Sequence, residues 1–333
     1  MNKKIIILHN AVGQNASKDE ADVLDQVNSV SKALIDLNYE PVSLSFTMNL
    51  EETYRKIKDL NPCLVFNLVE SVHHDGRLIY FAPALLDHLK IPYTGSKTVS
   101  MFLTSNKILT KQMLCNYGIL TSEWAVEKNK NNDKLSNIKG KYIIKALWEE
   151  ASVGIDENSV ISVKTESELF EKIDIKREQI KAECFAEKYI DGREFNLALL
   201  ASTESPEEPV ILPPAEIIFS GFPDNKAKIV DYKAKWDTDS FEYKHTDRTF
   251  EFRKEEKKLL DKLIKISKKC WKEFELRGYA RIDFRVDKRE VPFVLEINAN
   301  PCISPDSGYV AALEKAGISF QECIERIIVD TLR

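Results

Sequence analysis

Several protein classes are excluded by what this sequence lacks. No stretch approaches the ~20 apolar residues that cross a membrane, so we expect no membrane partner. No block of lysine and arginine is present and the formal net charge is −5, which argues against a nucleic-acid partner. The six cysteines lie far apart with no Cys-x-x-Cys pair, so neither a disulfide framework nor a zinc site is indicated. We expect a cytoplasmic protein, because these cysteines suit a reducing compartment.

The chain is long enough for two or three domains. Its 333 residues are 43% hydrophobic and 30% charged, which is ordinary for a globular protein. Over the first 95 residues, predicted strands at 4–9, 41–46 and 63–68 alternate with predicted helices at 21–37 and 52–60. This alternation predicts a small open parallel sheet with ligands at the carboxyl ends of its strands.

The later segments predict a mixture of helices, strands and loops. Residues 128–134 are polar and predict an exposed loop. Residues 231–249 contain few core residues, and we expect a mobile lid there. Further predicted elements are helices ending at 89 and 117, a strand at 141–145, helices at 168–178 and 252–276, the latter ended by Gly278, a strand at 213–219, and a helix at 318–332.

Residues 279–298 are the most informative stretch, and their pattern predicts a β-hairpin. Apolar and polar residues alternate, stop at 287–290 and then resume. If Asp287 faces Pro292, the same register sets Asp283 opposite Glu296. Two opposed carboxylates repel by roughly 1 to 4 kcal/mol at about 4 Å. A cation should therefore lie between them.

The same register gives this hairpin a polar face. It sets Arg281 opposite Asn298, and it turns Leu295 and Ile297 to the face away from Glu296. Two carboxylates and an amide oxygen form a hard, all-oxygen site that suits Mg²⁺. The alternative is a solvated hairpin face with incidental acids.

These residues resemble the end of an ATP-grasp ligase, most closely the D-alanine–D-alanine ligase group. The resemblance extends with gaps from about Val65 to the C-terminus. It implies an ATP-grasp fold that is α/β overall and α+β in its C-terminal part, with an N-terminal open parallel sheet. The implied domains are 1–96 on the substrate side, 97–185 as the central subdomain and 186–333 as the catalytic domain. A homodimer is a family expectation.

The most specific short match is CFAEKYIDGREFN at 184–196. By resemblance, the adenine contacts fall at Glu187, Lys188, Tyr189 and Ile190. Glu194 then accepts hydrogen bonds from the ribose hydroxyls, a task that suits an acid because a diol offers two donors. Without the resemblance, this segment would be a β-hairpin with a surface Asp-Gly turn.

The resemblance also assigns the phosphate, metal and chemical roles. Lys107, Lys145 and Lys235 would neutralise phosphate oxygens, and the loop at Ser152 would bring backbone N–H groups to them. The implied metal set is Asp283, Glu296 and Asn298, holding two Mg²⁺, with Mn²⁺ as a substitute.

The implied reaction has two steps, an acyl phosphate formed from ATP and then an amide formed with an amine. Arg281 would stabilise the acyl phosphate and the oxyanion, and Ser307 would hold the carboxylate of the acceptor. Cys302 need not be a nucleophile, because no histidine lies near it in sequence.

The departures from the family concern the substrates. Four positions differ from the family pattern, and they are Val69 for a histidine, Ala151 for a serine, Trp236 for a tyrosine and Cys302 for a glycine. D-alanyl-D-alanine is therefore not the expected product, and we expect small-molecule substrates that are another amino acid or a small peptide. Candidates for substrate contact are Glu20, Glu70 and the adjacent His73 and His74, which could instead bind a metal.

Two other functions remain open at this point. One is an ATP-grasp ligase that uses bicarbonate or formate as its carboxylate. The other is a non-catalytic ATP-binding protein with a regulatory role, against which the intact set of Asp283, Glu296 and Asn298 speaks.

Overall fold

The computed structural model describes residues 2–13, 16–126, 135–149, 152–205 and 207–333. The loop predicted at 128–134 and the substituted position Ala151 lie outside these ranges. Within them, no helix is both long and apolar enough to span a membrane.

The N-terminal segment forms the predicted parallel sheet. Its order is β2-β1-β3, with helices between successive strands. The elements are β1 (Lys4–Asn10), α1 (Lys18–Asp36), β2 (Glu40–Phe46), α2 (Leu50–Leu60), β3 (Leu64–Leu68), α3 (Phe81–Leu89), α4 (Thr98–Ser105) and α5 (Lys107–Asn116). β1 and β3 are apolar and buried because helices cover both faces of such a sheet, whereas the edge strand β2 is only partly buried.

A four-stranded antiparallel sheet follows, in the order β4-β7-β5-β6. Its elements are β4 (Trp124–Ala125), β5 (Gly140–Ala146), β6 (Val160–Val163), α6 (Glu166–Ile180) and β7 (Cys184–Lys188). Leu169 and Ile173 of α6 pack on Tyr142 and Ile144 of β5. This apolar contact fixes the sheet beneath the residues that β5 and β7 present on the other face.

The largest sheet has six strands in the order β11-β10-β8-β12-β13, with β9 also paired to β8. The remaining elements are β8 (Gly192–Leu200), β9 (Val210–Ile211), β10 (Ala215–Phe219), α7 (Tyr232–Trp236), α8 (Phe241–Lys244), β11 (Thr246–Thr249), α9 (Lys257–Glu273), β12 (Tyr279–Asp287), β13 (Pro292–Asn298), α10 (Gly308–Lys315) and α11 (Phe320–Thr331).

Alternate residues of β8 belong to two different cores. Ala198 and Leu200 pack in a core that also contains residues of β1, α1, α10 and α11. Leu197 and Leu199 pack on the other face with residues of α9. Because alternate side chains of a strand point to opposite faces, one face of the six-stranded sheet packs against the N-terminal sheet. The domain limits predicted above stay a prediction.

The central hairpin confirms the predicted acid pair but corrects its register near the turn. Asp283 lies opposite Glu296, and Arg281 lies opposite Asn298. Pro292, however, pairs with Val286 and not with Asp287. A bulge between the two halves of the hairpin absorbs this difference of one residue.

The bulge falls at Leu295, between the pairs Asp283–Glu296 and Phe284–Val294. Leu295 therefore lines a cavity, whereas Ile297 is buried in the core. The prediction that these two side chains share a face was wrong, because strict alternation fails at an extra residue.

The segment 184–196 is not a β-hairpin. β7 and β8 belong to different sheets, so the chain passes from one sheet to the other at Asp191 and Gly192. Gly192 is needed here because a Cβ would lie 1.9 Å from the carbonyl oxygen of Val286. Its role is close packing against β12 and not a surface turn.

Other parts of the predicted secondary structure also change. The helix predicted at 252–276 spans only Lys257–Glu273, so it ends five residues before Gly278, and α10 was not predicted at all. Residues 231–249 contain two short helices and a strand that pairs with β10. Lys233 and Lys235 consequently lie on α7, which excludes the alternative that they form a solvated strand face.

Candidate active site

A cavity of about 600 Å³ is lined by residues of all three sheets. Asn10 and Glu70, at or just beyond the carboxyl ends of parallel strands, contribute to its wall as the sheet topology predicts. The substrate candidates Glu20, Glu70 and His74 line this cavity, whereas His73 does not. Every residue to which the resemblance assigns a nucleotide, metal or chemical role also lines it. They are Lys107, Lys145, Ser152, Glu187, Lys188, Tyr189, Ile190, Glu194, Lys235, Arg281, Asp283, Glu296, Asn298 and Ser307.

Asp283 is buried, Glu296 opposite it is partly buried, and several donors hold the carboxylate of Asp283. Arg281 donates two hydrogen bonds of 2.8 Å to the carboxylate of Asp283. Asn196 and Asn298 donate to the same carboxylate over 2.8 and 3.2 Å. Burial raises the pKa of Asp283, and the charge of Glu296 adds to this, although Arg281 opposes it. A partly compensated anionic centre therefore lies at the base of the cavity.

For Glu296, the other acid of the pair, the balance of effects favours the charged form. Burial opposes its charged form, but four cations outweigh that effect and lower its pKa to about 2. These cations are Lys107, Lys145, Lys235 and Arg281.

The donor set of the hairpin fits a hard divalent cation. Asp283, Glu296 and Asn298 offer carboxylate and amide oxygens, which Mg²⁺ prefers. Among the residues that the structure describes, no group of three or more His, Cys, Asp or Glu side chains is arranged to hold a metal. A metal at the hairpin would therefore need further oxygens, and phosphate groups are suited to supply them.

Glu187 lies at the centre of a buried ion network. One carboxylate oxygen is 2.6 Å from Nζ of Lys145, and the other is 2.5 Å from Nζ of Lys111. Ser122 also donates to this carboxylate, over 2.6 Å. Burial opposes the charge of Glu187, but the two lysines outweigh it and hold its pKa well below its ordinary value.

Sequence reasoning missed Lys111. It is fully buried on α5, one helical turn after Lys107, and it also hydrogen-bonds the hydroxyl of Thr121 over 2.9 Å. Its spacing of four residues from Lys107 places both lysines on one side of the helix. That spacing was the one signal for Lys111 in the sequence, and it does not reveal that Lys111 pairs with Glu187, which lies 76 positions away.

Two predicted phosphate residues make contacts in the loop whose described residues are Glu149 and 152–155. Lys107 donates from Nζ to the carbonyl of Glu149. Ser152 has a φ of +63° and donates to the carbonyl of Val230 over 2.8 Å. The second contact ties this loop to the segment that leads into α7.

Glu194 lies beside a second cation that was not predicted. Nε of Arg285 is 3.5 Å from its carboxylate, and Arg285 also donates to the carbonyl of Gly192 over 3.0 Å. Burial raises the pKa of Glu194 even though Arg285 opposes the shift. Arg285 follows Asp283 by two residues, so strand alternation was a usable signal for its position.

The predicted lid lies against α1. The hydroxyl of Tyr232 donates to Asp19 over 2.8 Å, and Lys18 donates to the carbonyl of Trp236 over 2.9 Å. Burial and the charge of Asp19 raise the pKa of Tyr232 to about 12. Lys235, one residue before Trp236, has its pKa lowered by burial and then by Arg281.

Cys302 is a hydrogen-bonded thiol. It donates from Sγ to Asp22 over 3.0 Å, and burial, Glu70 and Asp22 raise its pKa well above the ordinary value. A thiolate nucleophile is therefore disfavoured at this position.

Other residues of the site also form hydrogen bonds. Gln26 donates to Glu70 over 2.8 Å, and His74 contacts the carboxylate of Glu20. Ser307 accepts from the N–H of Val310 over 3.2 Å and so begins α10.

A family model described as D-ala D-ala ligase C-terminus matches residues 114–329. An uncharacterised protein of Sinorhizobium fredii is 28% identical over 90% of this chain and 85% of its own length. The D-alanine–D-alanine ligases of Carboxydothermus hydrogenoformans and Aquifex aeolicus are also 28% identical. The first alignment covers 91% of both chains, and the second covers 98% of this chain and 99% of the relative.

The structure of this chain also matches solved structures of D-alanine–D-alanine ligases. A crystal structure of D-alanine–D-alanine ligase from Bacillus anthracis complexed with ATP matches with a TM-score of 0.73 at 20% identity. The match covers 99% of this chain and 98% of that one, which confirms the predicted fold. The chain therefore belongs to the D-ala D-ala ligase C-terminus family and is an ATP-grasp enzyme of the D-alanine–D-alanine ligase-like kind.

Proposed function

We propose that this protein joins a carboxylate to an amine and converts ATP to ADP and phosphate. A carboxylate oxygen attacks the γ-phosphorus, and the bond to the ADP oxygen breaks. The amine nitrogen then attacks the acyl carbon, phosphate leaves, and the nitrogen loses a proton. The observation that carries the proposal is the opposed pair Asp283–Glu296 with Asn298 beside it, in a cavity that also contains Lys107 and Lys145.

The protein's contribution is to position and neutralise charge. We assign two Mg²⁺, replaceable by Mn²⁺, to Asp283, Glu296 and Asn298, where the ions would neutralise phosphate oxygens. Lys107 and Lys145 contact the phosphates in this assignment. The placement of phosphates there is supported by Lys107, Lys145, Lys235 and Arg281, whose charges act on Glu296 and would also attract an anionic phosphate.

The nucleoside is assigned to the edge formed by β7 and the start of β8. Glu187 to Ile190 would contact adenine, Glu194 would accept from the ribose hydroxyls, and the loop at Ser152 would cover the phosphates. All of these residues line the cavity. Because both oxygens of Glu187 already bind lysines, we expect this residue to act on adenine only together with Lys145.

Arg281 and Lys235 are assigned to the reacting groups. Each cation disfavours the other, since Arg281 contributes to the lowered pKa of Lys235. An anionic phosphate between them would relieve that repulsion. Ser307 is assigned to the acceptor carboxylate. A guanidinium nitrogen of Arg248 lies 3.5 Å from the place of a Cβ at Gly308, which supplies a cation beside Ser307.

The substrates are small molecules, and we propose that they are not two D-alanines. Cys302 and Trp236 line the cavity where the D-alanine ligases carry a glycine and a tyrosine. Glu20 and Glu70 also line it, as does His74. Another amino acid or a small peptide is the proposed substrate class, and homodimerisation remains a family expectation.

The test is phosphate release from Mg-ATP across a matrix of amino acids and dipeptides, each pair assayed together and each member alone. We expect release that requires one particular pair, with a new amide detected by mass spectrometry. If Mg-ATP binds but no pair releases phosphate, the proposal of a carboxylate–amine ligase for these substrates is wrong.

A further inference from the structure

Arg285 is a buried cation to which the proposed reaction assigns no role. It lies on β12 among the residues that line the cavity. Arginine is rarely buried unless its charge is paired. Its described ion pair is with Glu194, whose carboxylate oxygen is 3.5 Å from Nε. This distance is longer than that of a good hydrogen bond, so neutralising Glu194 does not by itself explain how the guanidinium is placed.

The other guanidinium nitrogens of Arg285 bind oxygens from separate parts of the chain. Nη1 donates to the carbonyl of Gly192 over 3.0 Å, where the chain passes from one sheet to another. Nη2 donates to the carbonyl of Lys228 and, over 3.3 Å, to the hydroxyl of Tyr189. The central carbon of the guanidinium also lies 5.2 Å from the centre of the Tyr189 ring. A planar guanidinium can hold several oxygens in fixed directions at once, whereas an ammonium group is a compact point charge.

These contacts surround the site proposed for the nucleoside. Tyr189, Glu194 and Arg285 all line the cavity. The side chain of Glu194 is 13% exposed and that of Arg285 is 4% exposed, so a ligand reaches the acid more readily than the cation. The two residues are also cross-strand partners of β8 and β12, which fixes their separation. Arg285 is therefore placed to act on a nucleotide through Glu194.

The carbonyl of Lys228 connects Arg285 to the segment that leads into α7. The hydroxyl of Tyr189 donates to the same carbonyl over 3.3 Å. Two residues later, the carbonyl of Val230 accepts from Ser152. One guanidinium thus joins β8, Tyr189 and a segment that also contacts the loop at Ser152.

We propose that Arg285 is a positioning residue for the nucleotide and a determinant of ribose selectivity. Its guanidinium holds the carboxylate of Glu194, the carbonyl of Gly192 and the carbonyl of Lys228 in one arrangement, in which Glu194 accepts from both ribose hydroxyls. This inference rests on the nucleotide assignment of the proposed function and adds a residue to it. A ribonucleotide is preferred over its 2′-deoxy form only while this arrangement is intact.

The test measures ribose selectivity by calorimetric titration of the full chain in the presence of Mg²⁺. The two probes are β,γ-methylene-ATP, an ATP analogue that cannot release its γ-phosphate, and its 2′-deoxy form. In the wild type we expect the ribose form to bind about tenfold more tightly, the scale of one hydrogen bond to a charged acceptor. Arg285→Met should reduce this preference to about twofold or less, mainly through weaker binding of the ribose form.

Arg285→Lys separates the shape of the guanidinium from its charge. It keeps a buried cation, so it also serves if the methionine variant does not fold. Because an ammonium group cannot span the same oxygens, the ribose preference should fall to about threefold or less. The matched controls are Arg289→Met and Arg289→Lys, since Arg289 lies in the turn of the same hairpin, is exposed and does not line the cavity. Both controls should keep the full preference, and thermal unfolding shows which variants are folded.

A double-mutant cycle shows whether Arg285 acts through Glu194. Arg285→Met and Glu194→Ala should each weaken binding of the ribose form about tenfold, and the double variant should also weaken it about tenfold, because both changes remove the same contact. Independent effects would multiply to about 100-fold, and that result would overturn the inference.

The outcomes separate this inference from the ligase proposal. Three results overturn it, which are full ribose preference in Arg285→Met or Arg285→Lys, equal weakening of both analogues, and a wild type that binds neither analogue or does not distinguish them. In each of these cases, phosphate release that requires a particular substrate pair would still support the ligase. Loss of ribose preference in the Arg285 variants, without phosphate release from any pair, would retain the role of Arg285 and remove the ligase.

Discussion

The phosphate side of the cavity, around Glu187 and Asp283, and its acidic wall, formed by Asp19, Asp22 and Asp306, compensate their charges differently. On the phosphate side, Glu187 pairs with Lys111 and Lys145, and Asp283 pairs with Arg281. On the acidic wall, Asp22 accepts from a thiol and Asp306 from a hydroxyl. The protein compensates its own charges where the nucleotide is proposed to bind. At the other wall, neutral donors and solvent compensate the acids, because Asp19 and Asp22 are partly exposed and Asp306 is exposed.

The largest expected effect tests the chemistry of the compensated side. Glu296→Gln should lower turnover by at least 10³-fold, the scale of a lost electrostatic contact in the transition state, while the protein stays folded. Phosphate release and thermal unfolding measure the two properties. The control is Glu290→Gln, an exposed acid in the turn of the same hairpin, which should keep full activity. Normal turnover of Glu296→Gln would rule out the proposed metal site.

The next effect tests whether the compensation stabilises the fold. Lys111→Met removes one cation from buried Glu187 and should lower the free energy of unfolding by about 3 kcal/mol, because it breaks a buried ion network. Urea denaturation measures this change. Lys262→Met, at an exposed position of α9, should stay within about 0.5 kcal/mol of wild type. A loss no larger than that of the control would show that Lys111 contributes little to stability.

A smaller effect tests the division of the cavity itself. Glu194→Ala should weaken ATP binding about tenfold, since it removes a charged acceptor proposed to bind the ribose hydroxyls. Titrations with the ATP analogue and with the acceptor are compared. An effect confined to the acceptor would mean that the ribose site has been misplaced.

The smallest expected effect is a gain in stability, in contrast to the losses of activity, stability or affinity predicted above. Because the pKa of Asp22 is raised in the folded state, its charge destabilises the fold above that folded pKa. The cost vanishes as pH falls below the pKa of this group in the unfolded chain, about 3.9. Asp22→Asn should therefore stabilise the protein at pH 7 by about 0.5 kcal/mol, a value kept small because the group is partly exposed.

Unfolding measurements on Asp22→Asn and on the wild type at several pH values check the direction of this effect. The difference in unfolding free energy between Asp22→Asn and wild type should fall toward zero between pH 7 and pH 3.5. Asp22→Asn should be destabilising at pH 7 if the acidic wall is compensated within the protein as the phosphate side is.

Local pattern predicted the acid pair of the phosphate side, and the family resemblance assigned the lysines and the nucleotide contacts around it. The alternation in β12 and β13 placed Asp283 opposite Glu296, because a strand has a period of two and its turn is short. The error at Pro292 did not alter this pair, since the bulge at Leu295 cancelled it. A bulge depends on the packing of the whole sheet, and the alternation pattern alone did not reveal it.

The sequence by itself indicated the longer strands and most of the helices, because strand and helix periodicity are local properties, and its resemblance to short family motifs supplied the predicted site residues. Tertiary structure alone decided which charges meet. Lys111 and Glu187 are 76 positions apart, and Asp22 and Cys302 are 280 apart. The difference between a compensated and an uncompensated carboxylate depends on such distant partners, since the energy of a buried charge is set by the groups within a few ångströms and not by its neighbours in sequence.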